Sequence, residues 1–194
     1  MRKLTYYIAV SIDGFIGGPA GDATCFLPFV DEELFAYLKA NYPETMPTNG
    51  RQALGIDDLE NQRFDTVIQG RASYDVALEM GVTSPYAHMR QYVVSRSIKE
   101  SPDPAVEIVS GDVAEKVREL KAEEGGLGIY LCGGADLAGQ LTEEIDELVI
   151  KTYPLVLRSG MPMFAADCDI SEFTLESVKA FGNGVLVRKY TRKR

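Results

Sequence analysis

Tryptophan is absent from this chain, and histidine occurs once, as His88. A single imidazole argues against a Ser/His/Asp triad and against a histidine-rich zinc centre. Cysteine is scarce as well: Cys25, Cys132 and Cys168 are widely separated and form no C-x-x-C pair. An odd, scattered set fits a reducing compartment better than a disulfide framework, and buried free thiols are expected, Cys132 foremost. No apolar run approaches the ~18 residues of a membrane span. The opening "MRKLTYYIAVSIDG" breaks its apolar stretch at Ser11 and Asp13, so no signal peptide is expected and the protein reads as cytoplasmic. Also missing are a P-loop lysine motif, a G-x-G-x-x-G after the first strand, and the H-x-E with P-C-x-x-C pattern of zinc deaminases. Positive charge is short: 20 Lys+Arg stand against 29 Asp+Glu, for a net charge of −9. Nucleic acid is therefore not an expected partner. The one basic cluster, Arg188-Lys189 with Arg192-Lys193-Arg194, reads as a solvated tail.

What is present is an ordinary globular composition, 45% hydrophobic and 25% charged over 194 residues, enough for one domain spanning 1–194. The patterning alternates. Leu4 to Ser11 reads as a strand and runs into the glycine-rich "DGFIGGPAGD", a tightly turning or mobile loop. Residues 31–40 form an amphipathic helix with acids in its first turn. Residues 41–56, punctuated by Pro and Gly, read as a surface excursion. Strands are expected at 66–69, 91–95, 106–110, 128–132 and 147–157, the last interrupted by Pro154, and helices at 72–80, 112–124 and after Gly134. At the end, 173–181 and 184–190 pair through Asn183-Gly184, a tight hairpin turn. Alternating β and α units followed by an antiparallel hairpin imply an α/β fold with a mixed, mainly parallel sheet flanked by helices.

Three strand ends share one style. "VIQGR" and "YLCGGAD" place glycine where helix N–H groups can approach a phosphate, and "YVVSRS" adds Ser95, Arg96 and Ser97. If these strands are neighbours, their ends make a ledge of backbone donors, hydroxyls and two arginines, suited to a dinucleotide. A plain turn at each glycine, and a surface ion pair for Arg71, are the bland alternatives.

In chain order, "YIAVSIDGFIG", "VIQGRASYD", "YVVSRS", "IYLCGGADL", "DELVIKTYPLVLRSGMPMF" and "NGVLVRKY" resemble the dihydrofolate reductase-like superfamily. They resemble in particular the reductase (RibD C-terminal) domain of riboflavin biosynthesis proteins and its stand-alone relatives. The resemblance spans nearly the whole chain. It implies NADPH as hydride donor, a flat pyrimidine- or pteridine-like substrate, and a homodimer. Carried over by position, Gly70, Arg71 and Ser73 would hold cofactor phosphates, with Ser95 and Arg96 beside the adenosine 2′-phosphate. Gly133, Gly134 and Ala135 would follow the pyrophosphate and nicotinamide, and Ala9, Ile16 and Gly17 would flank the nicotinamide. No metal is implied. Four departures stand out: Asp136 where an arginine is common, Arg158 in place of the first glycine of a G-x-G, "TCFLPF" where relatives show tryptophan, and an enlarged 41–56 stretch.

Hydride transfer requires positioning, exclusion of water and a proton for the acceptor. The family's helper carboxylate suggests Asp31 or Glu33, each more readily explained as a helix-dipole partner. Asp13 is a third candidate, with turn capping as its alternative role. Lys151 could meet an anionic substrate or only solvent. A cofactor-binding protein that has lost turnover is the rival reading, and an unrelated α/β binding domain a more distant one.

Overall fold

The computed structural model describes residues 1–165 and 170–193. Strands β1 (Leu4–Ser11), β3 (Phe64–Gly70), β4 (Arg90–Val94), β5 (Val106–Val109), β6 (Gly128–Gly133) and β7 (Glu147–Tyr153) run parallel. Strands β9 (Phe173–Ala180) and β10 (Leu186–Arg192) are added antiparallel, giving the order β5-β4-β3-β6-β1-β7-β10-β9. Two further strands, β2 (Phe15–Gly17) and β8 (Met161–Pro162), make a separate antiparallel pair. The helices are α1 (Glu32–Asn41), α2 (Thr48–Ala53), α3 (Arg71–Glu79), α4 (Val113–Ala122) and α5 (Ala135–Gln140).

Both faces of the sheet are covered, as the mixed run of apolar residues along its central strands requires. In β1 the alternation sends Leu4, Tyr6, Ile8 and Val10 to one face and Tyr7 and Ala9 to the other. The first face packs against Val117 and Leu120 of α4 and Leu137 of α5. The second receives Leu34 of α1 and a dense set of tyrosine and phenylalanine rings. Burying one such apolar side chain is worth about 1.5–3 kcal/mol, so these two clusters carry the fold.

The glycine-rich segment after β1 and residues 41–56 depart from the sequence reading. The first contains β2, whose partner β8 lies far along the chain, a pairing that periodicity cannot reveal. The second holds a 3₁₀ turn (Pro43–Thr45) and α2, pinned from inside. Glu44, fully buried, accepts from the backbone N–H groups of Gln62, Arg63 and Phe64 at 3.3, 2.7 and 2.9 Å. Arg51, 1% exposed, donates to the carbonyls of Asp57 and Leu59. Charged side chains thus do what apolar periodicity does elsewhere, satisfying backbone groups that would otherwise be buried unpaired. Strand β7 stops at Tyr153, just before Pro154, rather than continuing to 157. Cys25 and Cys132 are free thiols but only partly buried; Cys168 lies outside the described residues, as does Arg194 of the basic tail.

Candidate functional site

The carboxyl ends of β3, β4, β5 and β6 open onto one groove of about 730 Å³. Its walls include Gly70, Arg71, Ser95, Arg96, Gly134 and Ala135, so the three strand ends singled out in the sequence do converge. Ser73 sits in the first turn of α3, half-buried and outside this lining. The loop after β5, Ser110 and Gly111, also lines the groove, as do Met161 and Pro162 of β8. "IVSGD" has the same strand-then-small-residue style as the other ends and was the available signal for that loop.

The helix caps separate into two kinds. Asp31 caps α1 by accepting from the Leu34 N–H at 2.9 Å, and Asp112 caps α4 through the N–H groups of Ala114 and Glu115. By contrast, α3 and α5 begin at Gly70 and Gly134, and among the described residues no side chain caps either. An aspartate or serine cap contributes about 1 kcal/mol. Its absence at the two helices that border the groove leaves N–H groups and positive dipole ends directed at it. A methyl group built on Gly134 would meet no protein atom within 4 Å, so a side chain here would intrude only on the groove. Uncapped N–H groups, open space at glycine and guanidinium groups together form a donor set that fits a dinucleotide phosphate chain.

The charges are mixed. Arg71 donates from Nε to both oxygens of Asp75 at 2.6 and 2.8 Å and from a terminal nitrogen to Ser97 Oγ at 2.8 Å. The bland alternative, a surface ion pair, is therefore present alongside a placement in the groove wall. Arg96 is exposed and makes no ion pair or hydrogen bond among the described residues. Ser95, 4% exposed, closes a turn, its Oγ accepting from the N–H groups of Ser97 and Ile98 at 3.3 and 3.0 Å. Asp136, in the first turn of α5, accepts from Gln140 at 3.2 Å and brings a second carboxylate to the groove.

At the edge of the groove, Ile16 and Ala135 pack together with Val10 against Met161 and Met163. Gly17 touches Gly160: a Cβ on Gly160, whose φ is 151°, would lie 2.0 Å from the Gly17 carbonyl oxygen, so only glycine fits. Asp13 ties the same two loops together. It accepts from Ser11 Oγ at 2.6 Å and from the N–H groups of Leu157 and Arg158 at 3.1 and 2.7 Å, bonds that hold its carboxyl below the usual range. Arg158 itself has φ 66°, the left-handed conformation that glycine tolerates best. Gly133 has φ 113° and is joined to Gly134 by a cis peptide bond.

Ala9 faces the other way, onto the aromatic side of the sheet, paired in register with Lys151. Glu33 is exposed near the hairpin, 3.8 Å from Lys179 and 3.5 Å from the Gly182 N–H. The three candidate carboxylates are thus not brought together: Asp31 and Glu33 sit on the first turn of α1, Asp13 at the β1–β2 turn. Among the described residues, no group of three or more His, Cys, Asp or Glu could hold a metal ion, and no helix is long and apolar enough to cross a membrane.

This strand order and groove define a dihydrofolate reductase-like fold. Dihydrofolate reductase from Enterococcus faecalis, complexed with NADP(H) and RAB-propyl, superposes with a TM-score of 0.65 at 16% identity, covering 99% of this chain and 97% of that one. A putative riboflavin biosynthesis protein from Shewanella sp. PV-4 gives 0.70 at 23% identity over the whole of both chains. A Thermotoga maritima diaminohydroxyphosphoribosylaminopyrimidine deaminase/5-amino-6-(5-phosphoribosylamino)uracil reductase gives 0.63 at 12% identity, with this chain spanning 57% of its length. In sequence, the uncharacterized protein YwjB of Bacillus subtilis (strain 168) is 31% identical over 186 residues, 95% of each chain. The chain belongs to the RibD C-terminal domain family, whose profile matches residues 2–187.

Proposed function

We propose that this protein is an NADPH-dependent reductase acting on a pyrimidine- or pteridine-like small molecule. The observation that carries the reading is the convergence of two uncapped helix starts with Arg71 and Arg96 on one groove, in a fold and family of reductases. Bound there, NADPH would supply the hydride. Gly70, Arg71 and Ser73 would receive its phosphates, Ser95 and Arg96 the adenosine end, and Gly133, Gly134 and Ala135 the pyrophosphate and nicotinamide side. Ile16 and Gly17, held by β8 and Gly160, would close over the nicotinamide and exclude water, with Ala9 of β1 also flanking the ring.

The carboxylates enter this reading as frame. Asp31 caps α1, Asp13 joins two loops, and Glu33 faces the hairpin. A homodimer is part of the proposal. Its support is β9, an edge strand exposed along most of its length, with Leu175 at 50% and Val178 at 51%. An edge of this kind is an invitation to pair. Sedimentation at micromolar concentration would test it, a monomer counting against pairing.

The deciding experiment is a titration with NADPH and NADH followed by nicotinamide fluorescence. Tight NADPH binding, weakened about tenfold or more in Arg71→Ala and Arg96→Ala as expected for lost charge-assisted hydrogen bonds, supports the reading. Failure to bind either cofactor removes it, and binding without oxidation across a heterocycle screen leaves a cofactor-binding protein without turnover.

A further inference from the structure

Helix α3 breaks a charge rule that two of its neighbours keep. The first turns of α1 and α4 hold Glu32 with Glu33 and Glu115, and their last turns hold Lys39 and Lys121. That is the order the helix dipole favours. In α3 the first residue is Arg71 and the first turn holds no acid, so a cation stands at the positive end of a helix without a side-chain cap. Asp75 follows one turn later, and both of its carboxylate oxygens accept from Arg71 Nε, at 2.6 and 2.8 Å. A cation placed N-terminal to an acid at this spacing is the weaker of the two orders for helix stability. Conflicts between local preference and observed placement concentrate at functional sites.

The pair is not confined to the outside of the helix. Arg71, Asp75, Ser95, Arg96 and Ser97 all line the groove. With its Nε held by Asp75, Arg71 donates from one terminal nitrogen to Ser97 Oγ at 2.8 Å, 26 residues away in the chain. Ser97 belongs to the turn closed on Ser95 Oγ, and Arg96 lies between the two serines. The second terminal nitrogen of Arg71 makes no hydrogen bond among the described residues, so N–H groups remain for a ligand. Asp136, the other carboxylate of the groove wall, accepts from Gln140.

We propose that Asp75 is a positioning residue for cofactor selection. It holds Arg71 against the 95–97 turn, so that the guanidinium groups of Arg71 and Arg96 are presented together to one phosphate monoester, the 2′-phosphate that separates NADPH from NADH. The inference rests on the reductase reading of the groove. Two effects of the carboxylate oppose each other. Its charge repels a phosphate, an effect that solvent weakens because Arg71 and Asp75 are 42% and 35% exposed. Its hydrogen bonds spare the ligand the ordering of a long, flexible side chain, which alters affinity by about two- to tenfold. Ordering is the larger effect, so removal of Asp75 weakens NADPH binding, whereas dominant repulsion would strengthen it.

The test is a fluorescence titration with NADPH and NADH of wild type, Asp75→Ala, Asp75→Asn, Arg71→Ala and the double variant Arg71→Ala/Asp75→Ala. Asp75→Ala is expected to weaken NADPH about fivefold and to leave NADH within about twofold of wild type. Asp75→Asn, which keeps an acceptor for Arg71 Nε, should return NADPH affinity to within about twofold of wild type. With Arg71 already replaced, loss of Asp75 should change NADPH affinity by less than about twofold, because the carboxylate acts through that side chain. All four variants should fold, since a partly exposed pair at this spacing contributes little to stability. Tighter NADPH binding in Asp75→Ala, an equal change for the two cofactors, or the same loss in the Arg71→Ala background overturns the inference alone. Wild type that binds neither cofactor removes the reductase reading and this inference with it, a result the wild-type titration records by itself.

Discussion

At the amino ends of the parallel strands Arg2 is buried to 3% exposure and donates to Asp65, Glu123, Thr66 and the Leu127 carbonyl. At their carboxyl ends Arg96 stands exposed in the groove wall with no such partners among the described residues. Each end has a cavity, and the one at the amino end is the larger, about 860 Å³ against 730 Å³. Size alone would select the wrong one. Lys3 and Lys189 at the amino end also reach Glu147, so cations and carboxylates there already satisfy each other. Among the described residues, the smaller groove has helix starts without side-chain caps and an arginine without a carboxylate. Ligand sites in open α/β sheets lie beyond the carboxyl ends of the strands, where helix N-termini converge, and the charge pattern here follows that rule.

The comparison can be broken most sharply at Arg2. Its replacement by alanine strips Asp65 of its guanidinium while Glu123 keeps Arg90, with a cost of about 3 kcal/mol, the lower end for a broken buried pair because both carboxylates are partly exposed. Urea unfolding would register that loss, while the NADPH dissociation constant of the folded protein should be unchanged. A variant that bound cofactor poorly but unfolded normally would reverse the assignment of the two ends.

Gly134→Ala probes the opposite end. Its new methyl group meets no protein atom within 4 Å, so the free energy of unfolding should fall by no more than about 1 kcal/mol, the cost of alanine at a helix cap. NADPH affinity should fall about tenfold, since only a ligand lying against the backbone would meet the added group. Unaltered affinity would remove Gly134 from the cofactor path. The smallest expected effect is that of Asp136→Asn, which takes a negative charge from the groove wall while keeping an acceptor for Gln140. NADPH should bind a few-fold more tightly, and the gain should shrink with added salt. A loss of affinity would mean that Asp136 contacts the ligand directly.

Much of this was legible in one dimension. The strands and helices with clear period, the Asn183-Gly184 turn and the three glycine- or serine-marked strand ends could be read because local propensity and tertiary role agree at those positions. Residues 41–56 could not, because Glu44 and Arg51 hold them by hydrogen bonds to backbone many residues away. Strand β2 was hidden for the same reason, since its partner β8 lies across the chain. Asp13 and Asp31 could be read from sequence either as acid catalysts or as caps. Only the hydrogen bonds to Leu157, Arg158 and Leu34 show what each carboxylate holds.

The sequence by itself determined the mixed sheet, the family and the set of groups available for phosphate, since these follow from residue type and order along single strands. The tertiary structure decided which of those groups face one groove, which arginine is left without a carboxylate among the described residues, and that Lys151 lies over the Tyr7 ring. Those outcomes depend on strand order and on the face each side chain takes, and both are set by contacts between segments distant in the chain.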